Sequence, residues 1–257
     1  MKKLLSALAA ALGLFAASSA HSAVIGYYLS NASGSPAAAI TSAGHTPQAL
    51  GGLAASDLAG IDVLWILNGD NGDPNAEVTG NTAAISNFVN GGGVLSFHDR
   101  AVTNAATYVP GAGAVSFVRD FSDDASIDVL TSNTVTNGPG GVIGNTTLDG
   151  GTSSSHGYAL LASLPAGGVG VLSQTDPTHI VDFYFPLGLG SVYYSSIPLD
   201  FYLDGNGPAG VQANMVNIYA VNEAAFQAEL AAVPEPASLA LLGLGLAGLA
   251  ATRRRKQ

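Results

Sequence analysis

The 257 residues carry 18 acidic and 8 basic side chains, a formal net charge of −10, and no cysteine. Disulfides and thiol nucleophiles are therefore excluded, and an acidic surface argues against nucleic acid as a partner because it repels the phosphate backbone. Hydrophobic residues make up 47% of the chain and recur in runs, which excludes an unfolded polymer.

Residues 1–23 read as a secretory signal helix: Lys2 and Lys3 form a charged start, Leu4 to Ala17 an apolar stretch, and small residues follow. Ser18 and Ala20 suit the −3 and −1 positions of a cleavage site; a cut after Ala23 is the alternative, with the bulkier His21 at −3. Between this segment and residue 232 only Arg100 and Arg119 are basic, against 17 acidic residues, a formal charge of −15. Such a surface attracts divalent cations and cationic neighbours.

The segment 24–232 alternates strand-like and helix-like stretches. Val24 to Leu29 reads as a buried strand, Pro36 to Ala43 as a helix closed by Gly44, and His45 to Leu50 as a short extended piece. Ile61 to Leu67 is the strongest strand pattern, followed by the loop Asn68 to Asn75. Thr82 to Asn90 is an amphipathic helix stopped by three glycines, and Val94 to His98 is another buried strand. From about 101 to 155 the period is lost, with short β-like pieces near Ala114 to Val118 and Ser126 to Leu130, as expected of a long polar insertion. Strands return at Gly168 to Leu172, Ile180 to Phe185 and Gly190 to Ser195, before a last helix from Ala209 to Ala231. Helices of this length between strands favour a mainly parallel sheet in an α/β sandwich, one domain over 24–232.

Residues 233–257 differ from everything before them. Val233-Pro234-Glu235-Pro236 precedes the largely apolar run Ala237 to Ala251, and then the basic cluster Arg253, Arg254, Arg255 and Lys256. The prolines hold the chain extended. As a helix the run would span about 22 Å, short of the roughly 30 Å hydrocarbon core, with snorkelling arginines offsetting part of the deficit. The basic cluster predicts a cytoplasmic end and a domain outside the inner membrane. This order resembles the PEP-CTERM sorting signal. The resemblance implies recognition and cleavage by an exosortase near Pro234, Glu235 and Pro236, a transient stay in the inner membrane, and release to the cell surface or extracellular matrix. Exopolysaccharide is then an implied neighbour. An ordinary single-pass anchor is the plainer reading.

The central segments IDVLWILNGD (61–70), ISNFVNGGGVLSFHDR (85–100) and GLGSVYYSSIPLDFYLDG (188–205) resemble the class I glutamine amidotransferase-like fold, a flavodoxin-like sandwich. The family's nucleophilic cysteine would fall on His98, and its His-Pro-Glu element near Ile197-Pro198-Leu199, where only the proline remains. Thiolate attack needs a sulfur and an orienting base, so the resemblance implies the scaffold without its chemistry. The same fold also hosts trehalose-utilisation-like proteins with a histidine on the corresponding strand, which His98 resembles better.

His98, Asp99 and Arg100 form the candidate ligand-binding group, because they end a central strand where open α/β sheets place ligands. On an extended segment His98 and Asp99 should point to opposite faces. The plain reading is an Asp99–Arg100 surface pair beside a structural His98; the active one is a hydrolase-like enzyme using His98 and Asp99, with a divalent ion assisting. Asp70 and Asp73 lie on an oxygen-rich turn of the kind calcium uses, but without a full calcium-loop pattern, so no cofactor is expected and calcium is a weak candidate. No G-x-S-x-G elbow and no lysine-bearing phosphate loop occurs in the domain. The expected function is a non-enzymatic envelope or matrix domain that binds a carbohydrate or another polar ligand. Intact mass of the secreted protein should show a start between His21 and Val24 and no tail; retention of Arg253 to Lys256 would contradict the sorting signal.

Overall fold

Five strands form the parallel centre of the structure, a computed structural model that describes residues 22–151 and 153–232. They are β1 (Val24–Ser30), β2 (Thr46–Ala49), β3 (Val63–Asn68), β4 (Val94–Asp99) and, late in the chain, β12 (Gly190–Ser195). Their order is β2-β1-β3-β4-β12, every neighbouring pair parallel. The expected signal helix falls almost wholly outside the described residues, and the tail from Val233 lies beyond them. Among the described residues no helix is long and apolar enough to cross a membrane.

Every residue of β3 and β4 is buried, which explains why these strands read as unbroken apolar runs: both faces are covered. Val63, Trp65 and Leu67 enter the core on the side of α1 (Ala37–Ser42) and of the last helix. Leu64 and Ile66 enter the core on the other side, with Ile85 and Val89 of α3 (Thr82–Asn90). Asn75 caps the short α2 (Ala76–Gly80), its Oδ1 accepting from the Val78 N–H at 3.2 Å. Helix α3 stops because Gly92 turns left-handed, with φ at +112°, a conformation glycine adopts without steric cost.

Beyond β12 the sheet becomes antiparallel. β11 (His179–Leu187) pairs with β12, β10 (Val169–Ser173) with β11, and β6 (Asp128–Val129) with β10. β9 (Gly157–Leu160) pairs with both β11 and β5 (Phe117–Arg119). Only Gly188 and Leu189 separate the paired ends Leu187 and Gly190. A two-residue link permits an antiparallel return but not the crossover a parallel strand needs. The mainly parallel centre expected from the sequence is therefore present, with an antiparallel flank that the helix-free spacing of 168–195 produces.

The insertion between 101 and 155 is more structured than its composition suggests. It contains α4 (Ala105–Tyr108) and β5, and the separate pair β7 (Asn137–Gly138) and β8 (Gly141–Val142). Its Ile127, Val135, Ile143 and Leu148 belong to the core under the last helix. After the separate short helix α5 (Leu199–Leu203), that last helix runs from α6 (Ala209–Asn214) through a π turn, Met215–Tyr219, into α7 (Ala220–Ala231). Buried Asn222 binds the insertion to α7, donating to Val135 O at 3.0 Å and Gly141 O at 2.9 Å and accepting from Gly140 N at 2.7 Å.

Where α3 meets the β11–β12 turn the backbones pack closely. A Cβ on Gly190 would overlap the carbonyl oxygens of Gly93 and Val89, whereas one on Gly113 meets nothing within 4 Å. Gly190→Ala should lower stability by about 1–3 kcal/mol, the usual range for forced overpacking, while Gly113→Ala changes little; thermal melts of the two variants check the contrast.

Candidate functional site

β4 carries three polar residues at alternating depths, Ser96, His98 and Asp99, all fully buried or nearly so. In the sheet His98 lies between Leu67 of β3 and Ser195 of β12, and Asp99 lies beside Asn68. The pleat sends His98 towards α7 and Asp99 to the opposite face, as the alternation of a strand requires.

On the α7 side His98 meets Glu223, Nε2 to Oε2 at 2.7 Å, with relative side-chain exposures of 2% and 0%. Its Nδ1 lies 3.1 Å from Ile197 O. A carbonyl can only accept, so Nδ1 carries a proton, and a carboxylate at Nε2 asks for a second one: the ring is held as an imidazolium. Burial is the largest influence and opposes this charge, but the charge and hydrogen bond of Glu223, with the Asp182 charge and the Ile197 carbonyl, together hold the His98 pKa above its ordinary value. Ser96 Oγ at 2.7 Å and Gln227 Nε2 at 2.6 Å donate to Glu223 Oε1. Beside the pair, Asp182 of β11 accepts from the hydroxyls of Tyr193 and Tyr219, each at 2.7 Å. Burial pushes Asp182 up to about 6, against the donors that favour its ionised form. Its Oδ1 has no hydrogen-bond partner among the described residues. Tyr219 ends the π turn and also stands edge-on to the His98 ring.

On the other face Asp99 takes five donors. Ala101 N at 2.9 Å and Asn68 Nδ2 at 3.1 Å reach Oδ1; Tyr108 OH at 2.7 Å, Val102 N at 3.1 Å and Tyr194 OH at 3.2 Å reach Oδ2. The side chain thus fastens the turn after β4, where Val102 is held at a φ of +62°, unusual for a β-branched residue. Burial raises the Asp99 pKa despite these donors.

Arg100 alone of the predicted trio reaches a cleft. This cleft, of about 90 Å³, opens at the carboxyl ends of β4 and β12 and is lined by Arg100, Ser153, His156, Pro198 and Phe201. Arg100 pairs with Asp200, not with Asp99: Nη1 donates to Asp200 Oδ2 at 3.3 Å and to Gly69 O at 3.2 Å. The guanidinium lies 5.9 Å over the Phe201 ring. His156 Nδ1 donates to Arg100 O at 3.0 Å, and burial, then the charges of Arg100 and Arg119, push its pKa down to about 4.

Asp70 is engaged within its own turn, and Asp73 ties that turn to the insertion. Asp70 Oδ1 accepts from Gly72 N at 3.1 Å, and Asp73 Oδ1 from Asn104 Nδ2 at 2.8 Å. Among the described residues no group of three or more His, Asp or Glu side chains is placed to hold a metal ion. Pro234, Glu235, Pro236 and the cluster Arg253 to Lys256 lie outside the described residues.

Sequence reasoning missed Glu223, Asp182, Asp200 and His156. One signal existed for the first: Glu223 and Gln227, one helical turn apart, fall among the buried positions of α7 rather than on its outer face. Nothing local marks His156, which sequence alone leaves in a serine-rich loop.

The family comparison identifies residues 232–256 as a PEP-CTERM protein-sorting motif. The chain therefore carries the signal for exosortase-dependent sorting to the envelope, starting where α7 ends. No curated protein matches the sequence. Among solved structures the fold is similar to a cytoplasmic protein from Salmonella typhimurium LT2, at 10% identity over 80% of this chain and 99% of that one, with a TM-score of 0.51. A second Salmonella typhimurium cytoplasmic protein scores 0.49 at 11% identity, over 79% of this chain and 98% of its own. A cold-adapted β-galactosidase from Rahnella sp. R3 scores 0.45 at 14% identity over 88% of this chain; the chain spans 34% of that enzyme's length.

An isolated strand-end histidine should cost about 1–2 kcal/mol on removal, but His98→Ala strands Glu223 in the core. The expected loss is therefore about 3–5 kcal/mol, the range for breaking a buried pair. The pH dependence has a definite sign. With its pKa raised, His98 stabilises fully below about pH 6.5, and this is lost as pH rises through its folded value. Raised Asp182 keeps a proton that the unfolded chain gives up, so stability also falls between about pH 4 and 6. His156, with its folded value near 4, acts oppositely throughout that window. Urea melts of Asp182→Asn against the parent cancel His156, and the fall between pH 4 and 6 should be smaller in the variant.

Proposed function

We propose that the chain is an exported envelope or extracellular-matrix protein whose α/β domain binds a carbohydrate or other polar ligand without turning it over. In this reading residues 1–23 direct export and are removed, and residues 24–232 fold outside the inner membrane. The apolar run and basic cluster hold the protein there until an exosortase cuts near Pro234-Glu235-Pro236. The observation that carries the reading is the sorting motif at 232–256, placed directly after the last packed helix.

For the domain we infer a flavodoxin-like scaffold, similar to the glutamine amidotransferase-like sandwich but without its catalytic residues. The order β2-β1-β3-β4-β12 supports this, since it is the doubly wound order 2-1-3-4-5 when the parallel strands alone are counted. A binding role without chemistry is supported by the engagement of His98 and Asp99. Both ring nitrogens of His98 have partners, Asp99 serves five donors, and the two residues lie on opposite faces. A hydrolase would need them to meet one substrate. The polar cleft at Arg100 is the natural ligand position, at the carboxyl end of the strands. The reading requires no ion.

Replacing Pro234-Glu235-Pro236 by three alanines should leave the domain folded and hold the protein in the inner membrane, because the motif follows the last helix of the domain in sequence and carries the sorting signal. Fractionation and protease protection measure this. Normal release of the variant would make Pro-Glu-Pro a mere linker and remove exosortase from the account.

A further inference from the structure

We propose that the cleft formed by Arg100, Ser153, His156, Pro198 and Phe201 binds a hydroxycarboxylate, a carboxylate with a hydroxyl one or two carbons away. The inference rests on the domain being a polar-ligand binder and narrows that reading to one chemistry. Two sources supply such a group: a free hydroxy acid and a uronic-acid residue of a polysaccharide.

Charge placement is the first argument. The domain has 17 acidic residues and two cations, Arg100 and Arg119. Both cations gather around the turn after β4: Arg119 Nη1 donates to Ala101 O at 3.1 Å, next to Arg100, and to Asn71 O at 2.6 Å. The domain's two arginines thus stand together, against 17 acidic residues. The second argument is the hydrogen-bond count of Arg100. Nη1 serves Gly69 O and Asp200, while the buried Nε has no partner among the described residues. The guanidinium's donors are thus incompletely used, and its planar fork matches a carboxylate, which accepts two parallel bonds. Asp200 is the competing acid, but it uses one oxygen at a long 3.3 Å.

His156 accounts for the hydroxyl. Its Nδ1 donates to Arg100 O, so the neutral ring presents Nε2 as an acceptor. Held down to about 4 by burial and by the two arginines, the ring is neutral at ordinary pH and suits a ligand O–H rather than a second anion. Ser153, whose Oγ donates to Asp124 Oδ2 at 2.8 Å, closes the far side of the cleft. The volume, about 90 Å³, fits a carboxylate and the carbons beside it but not a whole ring. Larger ligands must extend outward, where Phe121, 46% exposed and set edge-on to His156 at 5.2 Å, offers an apolar platform.

Calorimetric titration of the full chain in detergent with D-glucuronate, lactate, propionate and glucose tests the assignment. Glucuronate and lactate should bind at least tenfold more tightly than propionate, which lacks the hydroxyl, and glucose, which lacks the charge. Arg100→Gln should weaken glucuronate at least tenfold. Should that variant fail to fold, the parent protein still reports: glucuronate should shift the Arg100 Nε–H signal in a proton–nitrogen spectrum of this arginine-poor chain. An oligoglucuronate binding more tightly than lactate identifies the polysaccharide source, and the reverse identifies a free acid; both support the cleft chemistry. Glucose binding equal to glucuronate, with an unmoved Arg100 signal, would overturn the inference and leave the broader sugar-binding reading intact. Silence from all four compounds overturns it as well, while the sorting role keeps its separate test.

Discussion

A charged pair sealed between a two-faced parallel sheet and its covering helix sets the terms for the rest of this molecule. His98 on β4 and Glu223 on α7 are both removed from water, and neither could be buried alone without a large desolvation penalty. Their contact fixes how α7 lies on the sheet, along its axis and around it. Ser96 and Gln227 take up the second carboxylate oxygen, so the registration involves two strand residues and two helix residues. Buried ion pairs are poor sources of net stability but good sources of uniqueness, since any shifted packing leaves a bare charge. Asp182 with Tyr193 and Tyr219 extends the same polar layer along the sheet.

Other features follow from that placement of α7. With the helix fixed, Asn222 presents its amide to the insertion and satisfies three backbone groups of the β7–β8 region. A segment rich in Gly, Asn, Thr and Ser thereby acquires a place in the core through Ile127, Val135, Ile143 and Leu148. The end of the insertion then delivers Ser153 and His156 to the cleft beside Arg100. Asp99 does the equivalent work on the opposite face, using five donors to hold the turn that presents Arg100. His98 and Asp99 are thus built into the interior, and Arg100 is the member of the trio that lines the cleft.

Much of the architecture was legible in the sequence because its causes are local. The strands 63–68 and 94–99 are buried on both faces and so read as apolar runs, the helix 82–90 shows its period, and three glycines end it. The parallel centre followed from helices between strands. The antiparallel flank was written in the same spacing, since 173–190 contains no stretch long enough for a crossover helix, but apolar pattern alone says nothing about strand direction. The sorting motif was the plainest feature of all: its proline pair, apolar run and basic end act as linear signals and need no fold to be recognised.

What the sequence by itself determined, then, is the order of elements, the acidic character of the domain with its two arginines, and the address at the C-terminus. Alternation along β4 even determined that His98 and Asp99 would part. Tertiary structure alone decided their partners. Glu223 lies 125 residues from His98, Asp200 lies 100 from Arg100, and His156 lies 56 from Arg100. Pairings over such distances are selected by the closing of the sheet and the docking of α7, where every buried charge must find an opposite charge or a donor. No local pattern encodes that requirement, because it belongs to the packed interior and not to the chain.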